Sequence, residues 1–373
     1  MKILIMTCKF GMGHYIAAKN LEEKIEQSDL EAQSEVVDFS QIVLGDTSRW
    51  FYAIYKTVIG KTSRLYYLIY KNTLNADGRL ERVLKTPQKY IEKKLEAEIH
   101  RHNPDVIIST YSLASHFLAE YKYSRKMQTP LITCVTDLSA HEVWIHENTD
   151  YYLVATQQTK KDLINRGIDA RSISVFGIPV SKKYEQGFVT ESKKVPARRG
   201  KKKELLMMGG GLGLLPTNME FYRKLDHLPN LHSTIICGEN KRLYRRLVKE
   251  EFENIEIQGF CHNVSDYMQR ADILISKPGG LTTFEAIYAE VPLLSFAPYL
   301  PQERTNAAYI VSQEMGCILP KKTEDILTVV QKIAENKELL KNYRTNMRQA
   351  KQCLVKTALV EFLCQAERRV YVS

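Results

Sequence analysis

Two stretches of this chain combine residue types and spacings that could do chemistry. The first is Ser276-Lys277-Pro278-Gly279-Gly280-Leu281-Thr282-Thr283-Phe284-Glu285-Ala286, which follows the apolar run Ile273-Leu274-Ile275. Pro278 stops a strand, Gly279 and Gly280 let a ligand approach the main chain, and Thr282 and Thr283 suit the opening of a helix. Free amides at that opening would point at an anion, and the helix dipole would add roughly 0.3 to 2 kcal/mol. Glu285, about one turn further in, would repel a bare phosphate but could accept two hydrogen bonds from the vicinal hydroxyls of a ribose. Phosphate and ribose together describe a nucleotide. The plainer alternative is a tight strand-to-helix connection with Glu285 solvated.

The second stretch is Thr136-Asp137-Leu138-Ser139-Ala140-His141-Glu142-Val143-Trp144-Ile145-His146, read together with His14 directly behind Gly11-Met12-Gly13. Asp137 should emerge at the edge of a sheet, where partial burial could raise its pKa and a nearby histidine could orient it as a general base. Each histidine taken singly could equally be structural. The presence of Trp144, one of only two tryptophans, within this polar cluster favours a site.

Further loops follow predicted strands in the second half: Gly209-Gly210-Gly211-Leu212-Gly213, Gly238, Gln258-Gly259-Phe260-Cys261, and Pro301-Gln302-Glu303-Arg304-Thr305-Asn306. The carboxyl edge of an open α/β sheet is where ligands bind, so these loops should converge on one crevice. Gln302, Glu303 and Asn306, close to stiffening prolines, could hydrogen-bond a sugar ring, or could be a polar surface loop. The chain contains no Asp-x-Asp pair, so no metal is expected to clamp a diphosphate. Helix amides, Thr282 and Lys277 would have to stabilise a leaving group instead.

Elements must hold these residues, and the chain is long enough to build them. Its 373 residues suit two domains, with 44% hydrophobic and 26% charged residues as in soluble globular proteins. Seven scattered cysteines without a Cys-x-x-Cys pair point to reduced thiols rather than a zinc site or disulfide framework. The chain opens on a strand rather than a signal peptide, and no apolar run approaches the length of a membrane span, so a cytoplasmic protein is expected. The formal charge of +10 calls for an anionic partner.

Short apolar runs alternate with amphipathic stretches, which predicts α/β architecture with parallel sheets. Strands are expected at Lys2 to Thr7, Glu35 to Phe39, Val106 to Ser109, Leu131 to Thr136, Tyr152 to Ala155 and Ile173 to Phe176. A second set falls at Leu205 to Met208, Thr234 to Cys237, Ile255 to Gln258, Ile273 to Ser276 and Leu293 to Phe296. Each half opens on a strand leading into a glycine turn, which implies two Rossmann-like domains, residues 1–185 and 204–355. A basic linker, 186–203, joins them, and a helix in 356–373 could pack back on the first domain. The linker lacks aromatics, which favours a solvated hinge over a nucleic-acid patch. A dinucleotide oxidoreductase is disfavoured because Ile16 stands where the third glycine of the fingerprint should be. From Thr47 to Lys71, aromatic and basic residues alternate without an acid. Such a segment suits an anionic membrane surface, with stacking on single-stranded RNA and an ordinary helix pair as the alternatives.

Taken together these motifs resemble the monogalactosyldiacylglycerol synthase and processive diacylglycerol glucosyltransferase family, related to the transferase that makes lipid II. The likeness spans nearly the whole chain. It rests on Phe10-Gly11-Met12-Gly13-His14, Val135-Thr136-Asp137 with His141, Trp144 and His146, Phe176-Gly177-Ile178-Pro179, Met208 through Gly213, Lys277-Pro278-Gly279-Gly280 with Glu285, and Pro301-Gln302-Glu303 with Asn306. The resemblance implies the GT-B fold, two Rossmann-like domains facing a cleft, and catalysis without a metal or other cofactor. It implies that Gly279, Gly280 and Thr282 meet the diphosphate of UDP, Glu285 the ribose, and the backbone at Phe260 and Cys261 the uracil. Gln302 and Glu303 would face the sugar, with Gly210, Gly211, Gly238, Lys277 and Asn306 completing the donor side. His14 and Asp137 match positions of the acceptor side and the base, beside Gly11, Gly13, His141 and Trp144. Pro301 stands where relatives often have glycine, which leaves the choice of sugar open.

The expected activity is inverting transfer of glucose or galactose from a UDP-sugar to diacylglycerol, by an enzyme peripheral to the inner face of the cell membrane and bound to no nucleic acid. A polyprenyl-phosphate or glycan acceptor, a UDP-sugar epimerase and a non-catalytic sensor are the competing expectations.

Overall fold

The computed structural model describes residues 1–9, 12–48, 79–139, 142–185, 202–298 and 300–372. Gly11, His141, the linker residues 186–201 and nearly all of the aromatic and basic segment lie outside these. Two compact units emerge, one formed by Met1–Ser181 with Leu354–Ser373, the other by Lys182–Cys353.

The first unit is a six-stranded parallel sheet in the order β2-β1-β3-β4-β5-β6. Its strands are β1 Lys2–Thr7, β2 Gln33–Asp38, β3 Val106–Ser109, β4 Leu131–Cys134, β5 Tyr151–Val154 and β6 Ile173–Val175. Helices cover both faces, so the inner strands are buried along their whole length rather than at alternate residues; all four residues of β3 and of β4 are buried. The pleat still sorts β1: Ile3 and Ile5 join one core cluster, Leu4 and Met6 the other. The final helix Ala358–Val372 adds Ala358, Leu359, Leu363 and Ala366 to the first of these clusters, and Val355 N donates to the Val175 carbonyl at 2.8 Å.

The second unit repeats the plan with the sheet order β12-β11-β10-β7-β8-β9. Its strands are β7 Lys203–Met208, β8 Leu231–Ile236, β9 Ile255–Gln258, β10 Ile273–Ser276, β11 Leu293–Ser295 and β12 Gly316–Ile318. Lys203 begins β7 rather than ending the linker, β8 starts three residues before its predicted start, and β4 stops at Cys134, short of Thr136. The short strand β12 was not expected at all. In each sheet the chain starts in the middle and reverses direction beside its first strand, between β1 and β3 and between β7 and β10. Those are the switch points where such sheets open a crevice at the carboxyl edge.

Candidate active site

In the second unit the switch point lies between the loop after β7 and the turn after β10. Gly213 adopts φ +63°, and a Cβ there would sit 1.8 Å from the Cys237 carbonyl oxygen. Gly238, at φ +55°, likewise comes within 2.7 Å of the Gly211 carbonyl. Glu239 N donates to Gly211 O at 2.9 Å and Asn240 Nδ2 to Gly213 O at 3.0 Å, which locks the two loops together. Lys277 crosses Gly210 so closely that a Cβ there would meet its Cε at 2.9 Å. Its Nζ lies 3.6 Å from a Glu303 carboxylate oxygen.

The helix after this turn is Gly280–Ala289 with Gly279 as its cap, and no side chain caps its first amides. The helix therefore opens at Gly280, earlier than the threonines. Thr283 is buried and turns inward, both its N and its Oγ1 donating to Gly279 O at 2.9 Å. Thr282 remains half-buried beside Gly279. Asn306 is only 2% exposed and donates from Nδ2 to Pro278 O at 2.9 Å, so it braces the turn rather than facing a sugar. Gln302 Oε1, Asn306 Oδ1 and Ser276 Oγ are buried without a hydrogen-bond partner among the described residues. Glu303, 8% exposed, faces Lys277 and also accepts from Leu300 N at 3.4 Å.

Glu285 stands in the second turn of that helix, and no hydrogen bond or ion pair reaches its carboxylate among the described residues. Burial pushes that carboxyl up to about 8. Burial, with Glu285, Asp266 and Cys261 nearby, pushes the Tyr184 hydroxyl up as well, placing all four groups together. Phe260 is 52% exposed and meets the His262 ring edge-on at 4.9 Å. It lines an open cavity of about 380 Å³ with Gln258, Cys261 and Tyr267.

In the first unit the switch point carries His14. Its Nδ1 lies 2.6 Å from Thr136 Oγ1, and the Thr110 hydroxyl, 3.1 Å from the His14 carbonyl and 2.8 Å from Thr7 Oγ1, ties the same segment to the sheet. Gly13 is half-buried beside it. Trp144 has 0% exposure and donates from Nε1 to Asp137 Oδ2 at 2.9 Å. An enclosed indole cannot touch an acceptor, so the acceptor-binding role read for Trp144 from the sequence gives way to holding Asp137. The rings of His14 and Trp144 are 6.3 Å apart.

Residues 14–180 match the model of a family described as monogalactosyldiacylglycerol (MGDG) synthase, and residues 205–360 the glycosyltransferase family 28 C-terminal domain. Between them the two cover most of the chain. A processive diacylglycerol beta-glucosyltransferase of Bacillus cytotoxicus is 28% identical over 352 residues, 91% of this chain and 89% of its own length. The chain joins an MGDG synthase domain to a glycosyltransferase family 28 C-terminal domain. Among solved structures it resembles MurG of Acinetobacter baumannii, with TM-score 0.63, 14% identity and 98% and 100% of the two chains covered. A UDP-GlcNAc 2-epimerase of Neisseria meningitidis bound to UDP-GlcNAc gives TM-score 0.59 at 14% identity, again over 98% and 100%. The fold is GT-B, and the protein is a hexosyltransferase.

Within this MGDG synthase relative, burial drives the His14 imidazole below its ordinary value, opposed by the charge of Asp137 and a hydrogen bond to the Thr110 backbone. A neutral imidazole beside a carboxylate can take a proton and have the resulting charge balanced. His146 serves otherwise. Burial and the neighbouring His116, 5.2 Å away ring to ring, push it down to about 4, and the Tyr152 hydroxyl grips both its N and its O at 2.9 Å. It is a neutral clasp for the turn that carries Trp144. Thr110 and His116 escaped the sequence analysis, and Thr136 and Tyr152 were placed by it without these roles, although a threonine at or just after the end of each of three apolar runs was there to be seen.

Proposed function

We propose that this glycosyltransferase moves glucose from UDP-glucose, or galactose from UDP-galactose, to the hydroxyl of diacylglycerol, with inversion at the anomeric carbon and without a metal. The observation that carries the donor is the uncapped first turn of Gly280–Ala289 with Lys277 beside it. Main-chain amides and one ammonium group offer a diphosphate the positive field that a divalent ion would otherwise supply. Among the described residues no three His, Cys, Asp or Glu side chains cluster to hold such an ion. Phe260, beside its cavity, suits the face of a base, and Glu285 suits ribose hydroxyls.

On the acceptor side, the Asp137 and His14 pair takes the hydroxyl proton as the oxygen bonds to the anomeric carbon. The bond from that carbon to the UDP oxygen breaks, and its electron pair leaves with UDP. The diacylglycerol relative supports both this acceptor and a β-linked product. A lipid acceptor requires contact with a bilayer. No helix among the described residues is long and apolar enough to cross one, and the charge of +10 suits a peripheral site on an anionic inner leaflet.

The test is incubation with UDP-glucose or UDP-galactose and vesicles of diacylglycerol with anionic phospholipid, followed by mass analysis of the lipids. A monohexosyl diacylglycerol with the β configuration, unaffected by EDTA, is expected, along with vesicle binding that weakens as salt rises. Conversion of the free UDP-sugar to an epimer without lipid, transfer only to a polyprenyl phosphate, or activity lost to EDTA and restored by magnesium would overturn it.

A further inference from the structure

Three threonines stand just beyond or at the carboxyl ends of three neighbouring strands in the first unit: Thr7 of β1, Thr110 after β3 and Thr136 after β4. All are buried. Together they form the floor under His14, and the hydrogen bonds between them limit where protons can sit.

Thr136 Oγ1 lies 2.6 Å from His14 Nδ1 and 3.4 Å from the Thr110 carbonyl oxygen. A hydroxyl has one proton and an imidazole in its neutral form one N–H, whereas a carbonyl can only accept. The Thr110 carbonyl, an acceptor-only group, thus lies one hydroxyl away from Nδ1, on the side of the ring where Thr136 sits. A lone pair at Nδ1 would meet that carbonyl with repulsion and would draw the Thr136 proton away from it. With the proton on Nδ1, every group on this side has a matching partner. Nε2 has no hydrogen-bond partner among the described residues.

We propose that Thr136 is a positioning residue that fixes the tautomer of His14: its hydroxyl accepts from Nδ1–H and donates to the Thr110 carbonyl, leaving the Nε2 lone pair to take the acceptor's proton. This rests on the transferase reading above and assigns the base within it. The proton passes from the acceptor hydroxyl to Nε2, the oxygen's electron pair forms the new bond to the anomeric carbon, and the pair of the breaking bond departs with UDP. Asp137 then faces an imidazolium, and Trp144 keeps its carboxylate from swinging away. Thr136 touches no reacting atom; it acts by deciding which nitrogen is basic.

The protein labelled with ¹⁵N-histidine, full length and without substrate, gives the tautomer directly from long-range nitrogen–proton correlations near pH 7, with His14→Gln to assign the signal. A protonated Nδ1 and a bare Nε2 are expected in the wild type and in Thr136→Ser. Thr136→Val, which keeps the volume and removes the hydroxyl, should mix the tautomers and lower kcat about 10- to 100-fold, with KM for the UDP-sugar unchanged. A wild-type His14 protonated at Nε2 would overturn the proposal without any variant. So would a Thr136→Val protein with wild-type tautomer and kcat. Failure of the wild type to glycosylate diacylglycerol would instead refute the proposed function and leave the nitrogen spectrum to speak for the tautomer.

Discussion

Asp137 and Glu285 are carboxylates given opposite tasks by their surroundings. Trp144 holds one oxygen of Asp137 at 2.9 Å, so Asp137→Asn keeps an oxygen for that bond and loses the charge. We expect kcat to fall about 100- to 10,000-fold with UDP affinity unchanged. His14 should titrate still lower in this variant, because the charge that opposes its burial is gone; an unmoved His14 titration by NMR would show the two groups to be uncoupled. Glu285 is the reverse case, a carboxyl raised from 4.5 to about 8 by burial alone. The folded protein keeps a proton that the unfolded chain releases, so the contribution of Glu285 to stability is fully present below about 4.5 and is lost as pH climbs towards 8. Glu285→Gln should lack that decline, which thermal unfolding of both proteins from pH 5 to 8.5 will reveal. Ribose hydroxyls donating to Glu285 favour its ionised form, so UDP binding near pH 7 should release a proton. Calorimetry in buffers of different ionisation enthalpy checks this, and Glu285→Ala should weaken UDP binding about 10- to 150-fold. A buffer-independent enthalpy would remove Glu285 from the ribose.

At the scale of elements, what could be read from the sequence was what short-range chemistry dictates. An apolar run ending in Pro278-Gly279-Gly280 has few conformations open to it, and the helix of Gly280–Ala289 follows. What escaped was set by neighbours distant in the chain. Asn306 looks like any polar loop residue until the fold buries it against Pro278, 28 positions away. Thr136 was read as the end of β4, whereas the strand stops at Cys134 and frees the threonine to meet His14. The strand Gly316–Ile318 is three residues long, too short to show a period, and is recognisable only once Leu293 pairs with Gly316. The glycine loops lie between these extremes: their type was legible, their interlocking was not. Gly213→Ala tests the interlock. Its Cβ would fall 1.8 Å from a main-chain oxygen at φ +63°, and neither atom belongs to a flexible side chain. A cost of at least about 1 to 3 kcal/mol should lower the thermal midpoint of this unit by about 2 °C or more and weaken nucleotide binding. Unchanged melting would mean that the loop after β7 yields more readily than its packing against Cys237 implies.

For the molecule as a whole, two tandem Rossmann-like halves were expected from two strands that each run into a glycine turn, and two six-stranded parallel sheets are present. The chain is not divided as simply as its sequence, because its last 20 residues, Leu354–Ser373, belong with the first unit. Leu359 and Leu363 are buried among Ile3, Leu21 and Ile132, and Phe362 stacks on Tyr151 with ring centres 4.5 Å apart. Burying each such side chain contributes about 1.5 to 3 kcal/mol, so together they match much of the roughly 5 to 15 kcal/mol that keeps a domain folded. A shortened helix should therefore be felt in β1 to β6, hundreds of positions upstream, and not in the adjoining β7 to β12. Leu363→Ala, with an expected cost of about 2 to 5 kcal/mol, separates these outcomes without removing any chain. Native-state hydrogen exchange should show faster exchange in β4, β5 and β6, with β7, β8 and β10 protected as before. Equal loss of protection in both sheets would mean that the two units unfold as one, and that the closing helix stabilises the whole enzyme rather than its first half.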